Sequence, residues 1–557
     1  MKTSRVLWLG VSLGLILPLG CSSSSPDNGA GGPDGGEDGN GLDGTTQDVA
    51  TGDTGGQDSG SQDVVAQDVT GTQDTGAKDV ATADAPQDAP PEANPCGLAP
   101  TTDFYVDAVN GLDTNSGAGP SCALKTITLA LIASDAASHD NATIHLAAGT
   151  YSAGETFPLV VSHGRSLVGA GASTTTIQGS SAAYNTTATG SFLDTGTHFG
   201  TLVAGDVMAT DGGTNYGATT LSGFTLLPAA TVTTPTTGYF GLACIAGNAP
   251  NSGATPPLPS PNLVVKDVTV GPNYDSGLVI GSSPTQTTGC NATVTGSTFT
   301  GDNSGLITGA CGTTNPVQSW PSAQIGDGVA ADANTFSACT IDLFGEGCGS
   351  AQSFDGNHFT SGYRGIVIVS QSAQYFEILG NTFDGTAATL PMGIGLQTSA
   401  TVNIAKLNGN TFTNIAESAG ADTAVGGTTG YAISVAQVLQ AHQNVIHDND
   451  NGVYVGVGPA GTFDFSADGT ASNANSIYCN SKLPGGATNG YDLVLAYAAG
   501  NAANFAGNVW DHATPTTSVS LTASTNGTDV VTGTSAGATL TGSTSIGTAA
   551  CASGRTH

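Results

Sequence analysis

Asn334-Thr335-Phe336 opens the series of tripeptides that decides the fold of this 557-residue chain. The same shape returns as Asn357-His358-Phe359, Asn381-Thr382-Phe383 and Asn410-Thr411-Phe412. Counted from Phe to Phe, the intervals are 23, 24 and 29 residues. A unit of this length is too short to bury its own apolar face, so each unit must stack on the next. The series predicts an all-β fold, a single-stranded right-handed parallel β-helix with one coil per repeat.

Packing inside the coils explains both the repeated Asn and the repeated Phe. Equivalent positions of successive coils lie about 4.8 Å apart, the spacing of neighbouring strands. At that spacing, inward Asn amides can hydrogen-bond from coil to coil and inward Phe rings can stack. We therefore interpret both as core columns and not as a ligand site or sugar platforms.

A second pattern, Gly followed by alternating apolar residues, marks a strand in each later coil. Its members are Gly277-Leu278-Val279-Ile280, Gly365-Ile366-Val367-Ile368, Gly393-Ile394-Gly395-Leu396, Gly430-Tyr431-Ala432-Ile433, Gly452-Val453-Tyr454-Val455 and Gly490-Tyr491-Asp492-Leu493. These marks predict β-helix coils over residues 181–512. Residues 513–557, rich in Ser, Thr and Gly, are predicted to form either a last coil or a tail.

The charge balance excludes some partners. Residues 96–557 hold 28 acidic and seven basic side chains, so this part is acidic by itself within a chain of net charge −33. Net repulsion argues against nucleic acid and against polyanions in general.

The N-terminus is typical of an export signal. Lys2 and Arg5 precede an apolar run, and Gly20 stands just before Cys21. This end resembles the lipobox of bacterial lipoproteins, except that Pro18 stands where Leu is usual. Residues 1–20 are therefore predicted to be a lipoprotein signal peptide and Cys21 the acylated residue, with an ordinary secretory signal as the alternative. We expect an exported protein anchored by lipid to a membrane, at the bacterial outer membrane or cell surface.

Residues 21–95 are predicted to be a disordered acidic stalk. They hold fifteen acidic residues against Lys78 and almost no apolar clusters, so they cannot form a core. Like charges extend such a segment. A specific binding tail is the less favoured interpretation.

Residues 96–180 are predicted to hold the N-terminal cap and the first coils. Asp103 to Asp107 reads as a strand, and a polar turn follows. Ile127, Ala130 and Leu131 then share one helical face, which indicates a short capping helix. Five short strand-like segments follow: Ile144-His145-Leu146, Ala148-Gly149-Thr150-Tyr151, Pro158-Leu159-Val160-Val161, Ser166-Leu167-Val168-Gly169 and Thr176-Ile177-Gln178-Gly179.

These residues carry a resemblance. The strand Tyr105-Val106, the turn Gly111 to Gly117, Lys125-Thr126-Ile127 and Ala148-Gly149-Thr150-Tyr151 resemble the N-terminal region of pectin-lyase-like β-helix proteins, and most of all domain of unknown function 1565. The resemblance covers residues 103–180 and implies the fold, but hardly any activity. It departs at Ser121-Cys122-Ala123-Leu124, where the family commonly has Pro and an apolar residue, and the inserted cysteine suggests a disulfide to Cys96.

Nine cysteines follow Cys21, and in an exported protein they are disulfide candidates. Closeness in sequence favours Cys96 with Cys122 and Cys339 with Cys348, and Cys479 with Cys551 could tie the C-terminal end. Because nine is odd, at least one thiol is predicted to be free or intermolecular. The spacing is unlike that of a zinc site.

The catalytic candidates are few. Arg364, beside Tyr363 at a coil corner, is the best candidate for the base of a polysaccharide lyase. A glycoside hydrolase needs clustered carboxylates, for which Asp355 and Glu377 are candidates together with His358. Asp342 and Glu346 could converge with this group. The repeat places Glu377 on Lys406, and we favour a structural ion pair there.

No cofactor is predicted, and calcium is the one ion left open. Asp107, Asp113 and Asn115 are the candidate ligands, although a turn held by side-chain hydrogen bonds is the favoured explanation.

These features predict a lipid-anchored surface protein whose β-helix binds carbohydrate or another surface without catalysis. The alternative is a polysaccharide lyase or glycoside hydrolase that acts on an extracellular polysaccharide and uses Arg364 with Asp355, His358 or Glu377.

Overall fold

The structure of this chain is a computed structural model. All residues that it describes lie in the compact unit Asp88–His557. The described residues are 95–97, 102–181, 184–185, 197–204, 216–235, 238–245, 262–281, 289–310, 322–346, 352–369, 375–386, 392–399, 402–416, 430–456, 463–480, 490–496, 502–518, 529–532, 537–547 and 551. The predicted signal peptide, Cys21 and the predicted stalk lie outside them. None of the helices in these ranges combines the length and apolarity needed to cross a bilayer.

Three long parallel sheets run through this unit, with strands numbered along the chain. Sheet A holds β1 (Asp103–Val106), β2 (Thr143–Leu146), β5 (Ser166–Gly169), β9 (Thr219–Ser222), β12 (Asn262–Lys266), β15 (Asn291–Thr295), β18 (Ala323–Ile325), β21 (Gln352–Asp355), β24 (Tyr375–Leu379), β27 (Asn403–Asn408), β30 (Gln437–Val438) and β31 (Ala441–His442). Sheet B holds β3 (Gly149–Tyr151), β6 (Thr175–Gln178), β10 (Thr225–Leu227), β13 (Thr269–Val270), β16 (Thr298–Thr300), β19 (Thr335–Ser337), β22 (His358–Phe359), β25 (Thr382–Asp384), β28 (Thr411–Thr413), β32 (Val445–His447), β34 (Ser476–Tyr478), β37 (Val509–Trp510) and β41 (Thr544–Ser545).

Sheet C completes each coil. It holds β4 (Leu159–Val161), β8 (Thr197–Ala204), β11 (Tyr239–Ile245), β14 (Ser276–Gly281), β17 (Ser304–Ala310), β20 (Cys339–Glu346), β23 (Gly362–Val369), β26 (Ile394–Thr398), β29 (Tyr431–Val435), β33 (Asn451–Val455), β35 (Leu493–Leu495), β38 (Thr517–Ser518) and β39 (Val530–Thr532). Two pairs lie outside these paths: β7 (Tyr184–Asn185) against β8, and β36 (Ala502–Asn504) with β40 (Gly537–Thr539). The chain visits sheets A, B and C in turn and returns to A, which confirms the predicted all-β parallel β-helix.

A ladder of buried amides stands at the corner between sheets A and B. In the coils of Asn357, Asn381 and Asn410, the residue just before the Asn is a glycine with positive φ, so the chain turns within one residue. Each Asn Nδ2 donates to the Oδ1 of the Asn in the next coil at 2.8 to 3.2 Å. The seven fully buried members are Asn334, Asn357, Asn381, Asn410, Asn444, Asn475 and Asn508. The column inferred from the tripeptides is therefore present and extends through three further coils.

The Phe residues of the repeat stack in the core beside this ladder. Neighbouring rings from Phe299 through Phe336, Phe359 and Phe383 to Phe412 have centroids 4.4 to 5.0 Å apart and planes within 13° of parallel. All five are fully buried. The rings serve packing, as the sequence predicted.

At the start of sheet C, one inward position per coil forms a column that is occupied mostly by glycine or alanine. A Cβ on Gly305 would lie 2.6 Å from the carbonyl oxygen of Asp342, and Phe299 also crowds this position. Register places Asp342 in this column, and Asp492 and Asp529 follow in later coils. Asp342 therefore points into the core. The prediction that its carboxyl converges with Asp355 and His358 is wrong, because Asp342 is fully buried on sheet C while His358 is exposed on sheet B. Burial raises the pKa of Asp342 well above its ordinary value.

The capping helix is α1 (Ile127–Ala136), which packs against β1, β2 and β4. Ile127, Ala130 and Leu131 are buried as predicted. Glu155 holds its N-terminus: Oε1 accepts from the N–H of Ile127 and Oε2 from the N–H of Thr128, both at 2.8 Å. A carboxylate at that end also complements the helix dipole.

Disulfides join Cys96 to Cys122 and Cys479 to Cys551, as predicted. Cys244 joins Cys290, a pair that sequence spacing did not single out. The predicted bond between Cys339 and Cys348 is wrong because the Cys339 thiol is free and fully buried. Its side chain faces the interior, where it lies beside Gly305 and donates to the carbonyl of Ser337.

The amide ladder predicts the effect of Asn410→Ala. The substitution removes the Oδ1 that accepts from the backbone N–H and Nδ2 of Asn381, and the Nδ2 that donates to Asn444. Buried groups left without partners cost about 1–3 kcal/mol each, so we expect a loss of about 2–4 kcal/mol in the free energy of unfolding. Urea denaturation measures this loss. The exposed Asn262→Ala is the control, and an equal effect of the two substitutions would contradict a structural role for the ladder.

A second prediction concerns Asp302, whose pKa burial raises to about 8 although the N–H of Tyr274 opposes the shift. The folded chain holds this proton more tightly than the unfolded chain, in which the pKa is near 3.8. Stability from this group is therefore present at low pH and lost as pH rises from about 4 to about 8, by about 1.4 kcal/mol per pKa unit.

Asp302→Asn removes this titration, so between pH 5 and pH 8 the variant should lose less unfolding free energy than the wild type. Urea denaturation at both pH values measures the difference, with the exposed Asp103→Asn as control. Parallel losses in all three proteins would show that Asp302 titrates normally.

Candidate functional site

A groove of about 540 Å³ crosses sheet A over five neighbouring coils, from β12 to β24. Most of the side chains around it carry amide or hydroxyl groups. The lining residues are Asn262, Leu263, Val264, Asn291, Ala292, Thr293, Ser322, Ala323, Gln324, Gln352, Ser353 and Glu377. We call this surface the sheet A groove.

Strand alternation places these groups. In β12, Leu263 and Val265 are buried while Asn262 is exposed and Val264 half-buried. The register continues outward from Val264 to Thr293, Gln324, Ser353 and Glu377 in the next four coils. Along this row, one side chain per coil lines the groove at a spacing of about 4.8 Å.

Hydrogen bonds order one edge of the groove. The Oδ1 of Asn291 accepts from the hydroxyl of Ser322 at 2.7 Å and from its N–H at 3.3 Å. The Nδ2 of Asn291 donates to the Oδ1 of Asn262 at 3.4 Å. Three coils thus present a connected polar row whose geometry exists before any ligand arrives.

An ion pair closes the other end. Lys406 Nζ lies 2.8 Å from Glu377 Oε1, and both side chains are partly exposed. The predicted register of Glu377 on Lys406 is confirmed. Such a pair adds little to stability, but it neutralises the one carboxylate that lines the groove.

Gln352 lines the groove from a buried position and is 1% exposed. Its Oε1 accepts from the hydroxyl of Thr308 at 2.8 Å. Its Nε2 has no hydrogen-bond partner in the part of the chain that the structure describes. The amide of Gln352 therefore points into the core, towards Thr308 of sheet C, and the outward groups of the groove come from its neighbours.

The catalytic candidates divide between sheets. Asp355 and Glu377 both lie on sheet A, on the adjacent strands β21 and β24. Partial burial, and then the charges of Asp327 and Glu377, raise the pKa of Asp355. His358 is exposed on sheet B. The structure therefore brings two carboxylates of the candidate set together.

Arg364 lies apart from this pair, on β23 of sheet C. It is 7% exposed, and its guanidinium carbon is 5.5 Å from the ring centroid of Tyr363. Arg364 is therefore buried within a strand, and not at the coil corner expected from the sequence.

The calcium candidates are engaged in local structure. Asp107 Oδ1 accepts from the N–H groups of Val109 and Asn110, both at 2.9 Å. Although burial acts in the opposite direction, hydrogen bonds led by that of Asn110 hold the pKa of Asp107 below its ordinary value. Asp113 accepts from the Lys125 N–H, and Asn115 donates to the carbonyl of Ala123. The turn interpretation fits these contacts.

Sequence reasoning missed a cluster of carboxylates in the last coils. Asp492, Asp511 and Asp529 are 2–3% exposed, and one carboxylate oxygen from each lies within 4.8 Å of the others. The sequence held a signal for this cluster, because Asp492 stands where Gly452 and most earlier coils carry glycine or alanine.

Three solved structures are similar to this chain. The mannuronan C-5 epimerase AlgE6 A-module of Azotobacter vinelandii is 14% identical, with a TM-score of 0.34, over 75% of this chain and 94% of that one. The gp42 tailspike of Acinetobacter phage vb_AbaP_AS12 is 13% identical, with a TM-score of 0.32, over 72% and 58%. XylC in complex with xylose is 9% identical, with a TM-score of 0.33, over 80% and 86%.

No curated protein matches the chain. A family model, described as "Protein of unknown function (DUF1565)", matches residues 109–386, a range that includes most of the N-terminal region and the whole sheet A groove. Residues 109–386 are therefore similar to the DUF1565 family, which confirms the resemblance predicted from the N-terminal region.

Proposed function

We propose that this protein is an exported, lipid-anchored surface protein that binds a neutral polysaccharide in the sheet A groove without catalysis. The observation that carries the proposal is the polar lining of the groove: four neighbouring strands, β12, β15, β18 and β21, each contribute an amide or hydroxyl side chain, and β24 contributes Glu377. Sugar hydroxyls donate and accept hydrogen bonds, and these side chains can do both.

The dimensions of the groove suit a chain. Five strands at about 4.8 Å spacing present polar groups over about 19 Å, longer than a single sugar ring requires. The open groove suits an extended polymer that enters and leaves along the sheet.

Charge favours a neutral ligand. Residues 96–557 carry 21 more acidic than basic side chains, which disfavours uronate polymers. Within the groove, Lys406 balances Glu377, so a neutral chain meets no uncompensated charge there.

A second candidate function is glycoside hydrolysis by Asp355 and Glu377. The observation that favours it is the raised pKa of Asp355 beside another carboxylate, the arrangement in which one group can act as an acid while the other stays ionised. Arg364, on another sheet, would have no part in this reaction.

The binding test uses the full chain with a panel of neutral and uronate polysaccharides, with and without calcium. Asn291→Ala combined with Gln324→Ala removes two polar groups of the groove, so binding of the neutral ligand should weaken about tenfold, or 1.4 kcal/mol. Gln178→Ala on sheet B is the matched control and should bind like the wild type. Equal loss in the control, or no binding at all, would refute the groove assignment.

The same incubations distinguish catalysis from binding. Reducing ends and unsaturated products should stay at background. A product that disappears in Asp355→Asn and Glu377→Gln would replace the binding proposal by glycoside hydrolysis.

The anchor is tested separately. In Cys21→Ser, the protein should leave the membrane fraction and become soluble after export, because no acyl chains can be attached. Ser22→Ala is the control and should remain in the membrane fraction. Unchanged fractionation of Cys21→Ser would rule out the lipid anchor.

A further inference from the structure

The carboxylates of Asp492, Asp511 and Asp529 converge in the last coils, away from the sheet A groove. Asp492 and Asp529 immediately precede the adjacent strands β35 and β39 of sheet C, in line with its inner column. Asp511 follows β37 at the corner between sheets B and C. The ends of three strands thus bring one acidic side chain each to one interior point.

Hydrogen bonds orient all three carboxylates. Asp492 Oδ1 accepts from the backbone N–H and the Nδ2 of Asn480, at 3.1 and 2.9 Å. Asp511 accepts from the N–H of Cys479 at 2.9 Å. Asp529 accepts from Thr516 and contacts the ring of His512 at 3.0 Å. These donors fix the orientation of the three carboxylates. The backbone, amide and hydroxyl donors carry no positive charge that could balance them.

A second observation points to a ligand. The Oδ2 atom of Asp492 is buried and has no hydrogen-bond partner among the described residues, and the side chain as a whole is 2% exposed. One carboxylate oxygen of Asp492 lies within 4.8 Å of one oxygen each from Asp511 and Asp529. An oxygen left without a donor between two other carboxylates is placed to bind a cation.

The ligand set selects the class of ion. The three side chains of the cluster offer only oxygen donors, and Cys479 and Cys551 beside Asp511 are joined in a disulfide and offer no thiolate. Hard divalent cations prefer carboxylate oxygens, and Ca²⁺ accepts irregular coordination more readily than Mg²⁺, which retains several waters. Burial strengthens the attraction between the ion and these charges.

We propose that Asp492, Asp511 and Asp529 form a calcium site that clamps the last coils of the β-helix. The bound ion compensates the buried negative charge. It connects the residues that precede β35 and β39 with the residue that follows β37. With the Cys479–Cys551 disulfide beside it, the ion closes the C-terminal end of the core. The proposal is independent of ligand binding in the sheet A groove.

Trp510 offers a direct probe, because it precedes Asp511 and is fully buried. Terbium(III) replaces Ca²⁺ at oxygen sites and emits when a nearby tryptophan is excited. We expect sensitised emission from the full chain after treatment with EDTA and addition of terbium, and displacement of this emission by Ca²⁺. Trp510→Phe should remove the emission.

Asp492→Asn tests the site itself, since it preserves shape and removes one charged ligand. We expect terbium and Ca²⁺ to bind at least about tenfold more weakly to this variant. Asp302→Asn is the matched control, because it changes another buried carboxyl outside the cluster and should bind like the wild type. Equal terbium affinity in wild type and Asp492→Asn would overturn the site and assign the emission to other carboxylates.

Thermal unfolding gives a readout independent of luminescence. Ca²⁺ should raise the Tm of the EDTA-treated wild type, because an ion that binds only the folded state stabilises it. The same addition should have a smaller effect on Asp492→Asn. The calcium site is refuted if Ca²⁺ leaves the Tm of the wild type unchanged and the Asp492→Asn variant has a higher Tm than the wild type. In that case the carboxylates share protons instead of an ion. Mg²⁺ that matches Ca²⁺ in this assay would overturn the choice of ion.

Discussion

The buried amide ladder from Asn334 to Asn508 is the contact on which the regularity of the coils depends. Each amide is shielded from water, so its donors must find acceptors in the neighbouring coil or in the backbone. That requirement fixes the rise and the register at the corner between sheets A and B. The Phe stack on sheet B then follows, because rings at equivalent positions are brought to contact distance.

The sheet A groove depends on the same register. Because parallel strand pairing, joined by the ladder from the coil of β18 onward, holds successive coils in phase, one outward side chain per strand falls on a common line, and polar groups from separate coils form one surface. The outward side chains that line the groove contribute little to the core. Packing determines the inward residues, whereas the outward residues remain available for a ligand.

In the last coils, the inner column of sheet C places carboxyl groups in the core. Glycine or alanine occupies the inner position of sheet C in most of the preceding coils from Gly277 onward, where a Cβ is crowded, but Asp492 and Asp529 occupy it near the end. A second amide chain, from Asn449 through Asn480, runs into Asp492. Backbone and amide donors cannot balance three clustered carboxylates, so this end of the core requires a proton or a cation.

The sequence by itself determined the coil repeat, the inward Asn and Phe columns, the capping helix, two disulfides and the pairing of Glu377 with Lys406. All of these follow from local periods, because alternation and corner glycines decide which side chains point inward. Only the tertiary structure showed that Cys339 is buried and free, that Arg364 and Asp355 lie on different sheets, and that three distant aspartates converge. Whether residues of separate coils meet depends on how the connections of unequal length position those coils. Local sequence patterns do not encode these distances between coils.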